Sequence, residues 1–90
     1  KQDGYVFAGT FDGLSLSGPA KGSNMYEVED VNGVRIVQEL ISAAKQGGGY
    51  VTYILPNFEG LESAPKISYA TSVPEWDWYI GAGMYLSDIE

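Results

Sequence analysis

A lysine interrupts a strand-like run at Pro65-Lys66-Ile67-Ser68-Tyr69. Turned inward, its ammonium can pair with a ligand carboxylate, since a desolvated charge is costly without its partner. Turned outward, it lays its stem along the strand and reaches water. Tyr53 and Tyr69 fall on two segments expected to pair as a hairpin, where their hydroxyls can converge on an anion. Core packing with the hydroxyl at the rim is the alternative for both. Tyr5, Phe7 and Trp76 are further candidate ligand contacts. For Tyr5 and Phe7, as for Tyr79 and Tyr85, the bland reading is a core or edge aromatic. Trp76 with Trp78 equally reads as the closure of one end of a sheet.

The acidic residues offer little chemistry. Glu27, Glu29 and Asp30 cluster in one stretch, and Glu59 with Glu62 in another, without the spacing of a calcium loop. A solvated acidic face is the favoured reading. Ser68 has no base beside it in the sequence pattern, so nucleophilic catalysis has no support. The chain contains neither cysteine nor histidine. That removes disulfides, the commonest zinc ligands and the Ser-His-Asp and Cys-His systems. No metal site and no cofactor is implied.

Composition narrows the partners. Twelve Asp and Glu stand against five Lys and Arg, a net charge of −7. Nucleic acid needs clustered Lys and Arg, so it is not an expected partner, and neither is an anionic lipid surface. At 44% hydrophobic and 13% aromatic the composition is that of a folded chain. Ninety residues allow one domain. No run reaches the roughly 18 apolar residues of a membrane span. The sequence opens abruptly on a strand, as an excised piece of a longer protein does.

The elements that must position these residues follow from periodicity. Residues 4–10 read as a first strand, Asp12-Gly13 as a hairpin turn, and residues 14–16 as a second strand. Residues 17–23 read as a loop, and residues 24–30 stay ambiguous between loop and one helical turn. A helix is expected from an Asn32 N-cap, with Val34, Val37, Leu40, Ile41 and Ala44 on one side. Gly47-Gly48-Gly49 stops it. Residues 50–55 and 65–72 form the third and fourth strands, around a polar loop at 57–64. The fifth, 73–85, is the central strand. Its Trp78, Ile80, Ala82 and Met84 are expected to face the core, and Tyr79, Gly81, Gly83 and Tyr85 the other side. Residues 86–90 look like the start of a further helix, with Ser87 a candidate cap. The β-β-α-β-β-β order predicts an α+β fold, a PAS-like five-stranded antiparallel sheet with a crossover helix on one face.

Five pieces of sequence resemble the single Cache domain, an extracytoplasmic sensor module of bacterial chemoreceptors and histidine kinases. Gly4-Tyr5-Val6-Phe7 with Asp12-Gly13 resembles its GYFF…DG opening. Asn32-Gly33, the helix and the glycine run resemble DG…ELIEAAKxGGG. Tyr53-Ile54-Leu55-Pro56 matches Tyr-x-x-Pro, Lys66 to Tyr69 matches KxSY, and Trp76 to Tyr85 resembles WxWxIGTGxY. The likeness covers nearly the whole chain, read as one Cache-type domain over residues 1–90. It implies a non-enzymatic sensor of a short carboxylate or other small metabolite, with the ligand between sheet and crossover. It also implies a homodimer formed through flanking helices, and attachment to a membrane only through parts outside this sequence. Family members begin with a long helix before the first strand. This sequence lacks it, which should leave sheet surface uncovered. Gly9-Thr10 stands where the family has Tyr-Asp, and Gly18-Pro19 where it often has His-Pro. Both changes remove polar side chains and point to an enlarged, altered or degenerate pocket. The alternatives are a structural or dimerisation module with an empty pocket, and a stand-alone periplasmic binding domain.

Overall fold

Alternation of side chains along four strands, against one amphipathic helix, sets the architecture of the computed structural model, which describes residues 5–17, 21–54 and 64–86. The order is β1 (Tyr5–Thr10), α1 (Ile36–Lys45), β2 (Gly49–Ile54), β3 (Pro65–Val73), a 3-10 turn (Pro74–Trp76) and β4 (Trp78–Tyr85). The strands form one antiparallel sheet in the order β1-β4-β3-β2. β4 lies between β1 and β3, the central position its sequence predicts. The expected second strand is reduced to isolated bridges, Gly9 to Ser15 and Leu14 to Asn24. The described sheet therefore has four strands, not five. Pro74 also cuts the expected fifth strand, so residues 65–73 form one long strand and Trp76 sits in the turn after it.

The helix is ten residues long, too short to persist alone in water. Packing holds it. Ile36, Val37, Leu40, Ile41 and Ala44 are buried against Tyr53, Ala70 and Tyr79, with Phe7, Phe11, Met25, Val34 and Val51 at the margin. Each large aliphatic side chain so buried contributes about 1.5–3 kcal/mol. Gly47 N–H donates to the Ala44 carbonyl and Gly48 N–H to the Ala43 carbonyl, at 3.1 and 3.0 Å. With Gly47 at φ +99, this is the Schellman stop that the glycine run predicts. The start differs from expectation. Arg35, not Asn32, occupies the N-cap position, and no side chain caps it. The chain first folds back on itself through a turn over Asp30 to Gly33, with a bridge from Glu29 to Arg35. That turn uses up the residues expected in the first helical turn.

The sheet buries the opposite face of β4 from the one its hydropathy predicts. Tyr79, Gly81 and Gly83 face α1 and are buried, while Trp78, Ile80 and Met84 are half-buried on the outer face and Ala82 is exposed. The glycines explain why. A Cβ on Gly81 would stand 2.4 Å from the Phe7 ring, and one on Gly83 would stand 2.4 Å from Ser68 Oγ. Neighbouring strands thus fill the space over β4, and the helix closes onto a level surface. The outer face carries Val6, 73% exposed, with Tyr50 and Tyr69. No described helix is long and apolar enough to cross a membrane.

Candidate functional site

On β3, residues 66, 68 and 70 point toward the helix side, and all three are buried. Lys66 is 0% exposed and Ser68 1% exposed. Lys66 pairs in register with Tyr53 on β2 and with Tyr85 on β4, so the three residues form a row across three strands. The ammonium of Lys66 lies 3.7 Å from the centroid of the Tyr85 ring, a cation–π contact. One pleat further along, the Tyr53 hydroxyl and Ser68 Oγ are 2.7 Å apart. Gly83, opposite Ser68, supplies the room for that hydroxyl. Among the described residues Lys66 is the one basic side chain that is buried. An ammonium and hydroxyls held in a dry setting suit charge-assisted hydrogen bonds to a small anion.

The crossover loop closes on this end of the sheet through Asp30. Its Oδ1 accepts from the backbone N–H groups of Asn32 and Val34, at 2.8 and 3.0 Å. Its Oδ2 accepts from Ile54 N–H at 2.9 Å, which ties the loop to the residue after Tyr53. The Ile54 bond, outweighing the cost of desolvation, holds the Asp30 carboxyl below the usual carboxylate range, with Val34 and Asn32 adding to it. A cleft of about 340 Å³ opens here, lined by Asp30, Asn32, Val34, Thr52, Tyr53, Ile54, Pro65 and Leu86. A larger groove of about 650 Å³ lies between α1 and the β2 edge. Its lining includes Arg35, Gln38 and Glu39 but none of the buried polar row, whereas the smaller cleft reaches that row through Tyr53.

The Cache domain family matches the chain over residues 1–90. The chain belongs to the Cache family. Among its relatives, the sensor histidine kinase MctS of Rhizobium johnstonii is 34% identical over 92 residues, which is 98% of this chain and 20% of the kinase. The methyl-accepting chemotaxis protein CtpM of Pseudomonas aeruginosa is 35% identical over 95 residues, 99% of this chain and 17% of the receptor. The chain therefore spans a fifth or less of these relatives. A crystal structure of a methyl-accepting chemotaxis protein from Vibrio parahaemolyticus matches with a TM-score of 0.84 and 33% identity, over 100% of this chain and 64% of that one. A Cache chemosensory domain solved for carboxylic acid recognition gives a TM-score of 0.83, over 96% of this chain and 62% of that one. At 24% identity that likeness is one of fold. As a Cache domain with a PAS-like α+β architecture, the chain is an extracytoplasmic sensor module.

Of the six candidate contacts, the Cache fold brings Lys66 and Tyr53 into one cross-strand row, leaves Tyr5 on the strand position opposite Gly83, and sets Tyr69, Phe7 and Trp76 apart from that row. Tyr69 corrects the expectation of two converging tyrosines. Being odd-numbered on β3, it points to the outer face, 41% exposed, and stacks edge-on against Tyr50 at 5.0 Å. The partner of the Tyr53 hydroxyl is Ser68 instead. Phe7 lies at mid-sheet over Gly81, edge-on to Tyr79 at 6.3 Å. Tyr5 pairs with Gly83 through the β1–β4 ladder. Trp76 stands in the turn before β4, at the far end of that strand from Tyr85.

The two glycine departures fare differently. At Gly9 no extra pocket opens, because the Tyr79 ring and hydroxyl fill the space a Cβ would occupy, within 2.7 Å. Burial, with the neighbouring Tyr53 phenol adding to it, pushes the Tyr79 phenol up to about 12. Gly18 lies outside the described residues, as do the 57–63 loop and residues 87–90. Asp30 also departs from expectation. Glu27 and Glu29 are exposed and flank Arg35 at 2.8 and 3.1 Å, as members of a solvated face do. Asp30 beside them is buried and engaged by three backbone donors. The Asp30-Val31-Asn32-Gly33 run carries the signal, since Asp bonds the backbone two residues on in such turns.

Proposed function

We propose that the domain binds a small organic anion, a short carboxylate foremost, at the Lys66–Tyr53–Ser68 row, as the sensing input of a chemoreceptor or sensor kinase. The carrying observation is the Lys66 ammonium, wholly buried on the helix side of the sheet in register with Tyr53. The ligand carboxylate accepts from that ammonium and from a hydroxyl, while its remainder lies in the cleft under the Asp30 loop. A ligand seated there touches both the crossover and β2. It thereby favours whichever arrangement of loop and sheet makes those contacts best, the condition for any switch. The relatives' roles as histidine kinase and chemotaxis proteins support the signalling part, and the carboxylic acid recognised by one structural neighbour supports the ligand class. Catalysis has no part in this reading. Residues 1–90 constitute one Cache-type unit, dimerising and reaching the membrane through flanking segments of the receptor.

Thermal-shift and calorimetric titration with short carboxylates, amino acids, amines and purines test it. Carboxylates raise the melting temperature, and Lys66→Ala weakens their binding by about 2–5 kcal/mol, roughly thirtyfold or more in Kd. Lys66→Met, which keeps most of the buried stem, gives the same loss if Ala alone disturbs folding. Carboxylate affinity unchanged in both variants refutes the site. No response from the whole panel favours a structural module with an empty pocket.

A further inference from the structure

The corner remote from Lys66 is built around an exposed indole, Trp76, that rests against Trp78. Pro74 fixes the backbone ahead of Trp76, and Asp77 follows it at φ +54, the one described non-glycine residue with positive φ. Strained backbone of this kind persists where surrounding contacts over-determine it. Here the Asp77 N–H donates to the Pro74 carbonyl at 3.2 Å, and the Phe11 N–H donates to the Asp77 carbonyl at 2.8 Å. Trp76 is 61% exposed, yet its ring is propped edge-on against Trp78, with centroids 4.9 Å apart. A groove of about 510 Å³ runs beside it, lined by Thr10, Phe11, Asp12, Leu14, Trp76 and Asp77. The ionisable groups in that lining are both carboxylates. Lys45 stacks its ammonium 4.9 Å from the Phe11 ring, so this corner already holds one cation–π pair.

We propose that the Trp76 groove is a second ligand site, for a small organic cation of the alkylammonium type. An indole face attracts a cation through its quadrupole, and adjacent carboxylates reinforce that sign and exclude anions. The edge-on contact with Trp78 limits the side-chain freedom that binding must remove. This site is independent of the Lys66 row in both place and charge.

Titration with tetramethylammonium chloride, against sodium chloride at equal ionic strength, follows the Trp76 indole N–H by NMR. The expected result is a saturable shift of that resonance. Asp77→Asn, which tolerates the left-handed backbone, and Trp76→Ala, at an exposed position and followed instead through the backbone amides of Phe11 and Asp77, each weaken binding roughly five- to thirty-fold. Lys66→Ala leaves it unchanged, which separates this site from the carboxylate site. A shift no larger than that from sodium chloride overturns the proposal. So does equal saturation by glucose, or binding unaffected by Asp77→Asn, since either identifies neutral stacking.

Discussion

Replacing Tyr53 with phenylalanine removes one oxygen from a buried pair and leaves its partner in place. Ser68 Oγ, 1% exposed, then faces an apolar ring where a hydroxyl stood 2.7 Å away. A buried group deprived of its partner costs about 1–3 kcal/mol, more than the 0.5–1.5 kcal/mol net worth of the bond itself. Ser68→Ala strands the Tyr53 hydroxyl, on a residue 6% exposed, with a penalty of the same order. The double variant strands neither. Its loss should stay near the worth of the bond, well short of the two single losses added together. The expected coupling is therefore about 1–3 kcal/mol, read from a double-mutant cycle of urea unfolding followed by circular dichroism. In a 90-residue chain each 1 kcal/mol also moves the melting temperature by roughly 4–8 °C, so thermal unfolding checks the same cycle. Additivity within about 0.5 kcal/mol refutes the pairing, and with it the claim that the site's hydroxyls act as a unit.

The remaining predictions concern the supports of the site. Gly83→Ala places a Cβ 2.4 Å from Ser68 Oγ, and should destabilise the protein by about 1–3 kcal/mol. In a Ser68→Ala background the nearest remaining contacts are 3.4 and 3.5 Å, and the same change should be neutral or gain about 0.5–1 kcal/mol. The same sign in both backgrounds would show that the hydroxyl does not set the glycine. Asp30, with its pKa lowered, contributes stability that is present above the ordinary carboxylate range and lost as pH falls through its own lower value. Asp30→Asn should therefore unfold at lower urea concentration at neutral pH and show a shallower acid dependence below about pH 4. An acid limb as steep as wild type's would assign the acid sensitivity to other carboxylates.

Much of the fold is legible because it rests on local signals. The run Val37, Leu40, Ile41, Ala44 has the spacing of an amphipathic helix, and Gly47 ends it in the left-handed region, although Val34, which shares that spacing, lies before it. Period-two alternation marks β3 and β4, and the aromatic and glycine content of β4 gives away its central place. In three places a competing contact overrides the local signal, and there the sequence misleads. Residues 14–16 have strand-like side chains but find no continuous ladder, only the bridges at Ser15 and Leu14. Asn32 is a good capping residue by type, yet Asp30 two positions earlier collects the local N–H groups first. On β4 the more hydropathic face is not the one the helix covers. Hydropathy counts what a strand's own residues carry. The helix-facing surface is completed by Phe7 and Ser68 from the strands beside it.

The site is legible to the same extent and for the same reason. Lys66 stands out in sequence as a charge in a strand, and period two alone says that Ser68, not Tyr69, shares its face. Applied to β3, the alternation that organises the rest of the sheet would have excluded Tyr69 and admitted Ser68. Register is a different matter. That Lys66 stands opposite Tyr53 on one side and Tyr85 on the other follows from how β2, β3 and β4 slide past one another, and a slip of one residue would turn either tyrosine to the outer face. What fixes the slide is steric. Gly83 must meet Ser68 and Gly81 must meet Phe7, because a Cβ at either glycine has no room. Gly81 and Gly83 are thus the pins that hold the Lys66–Tyr53–Tyr85 row in register, which is why the Gly83→Ala test bears on the proposed site as well as on stability.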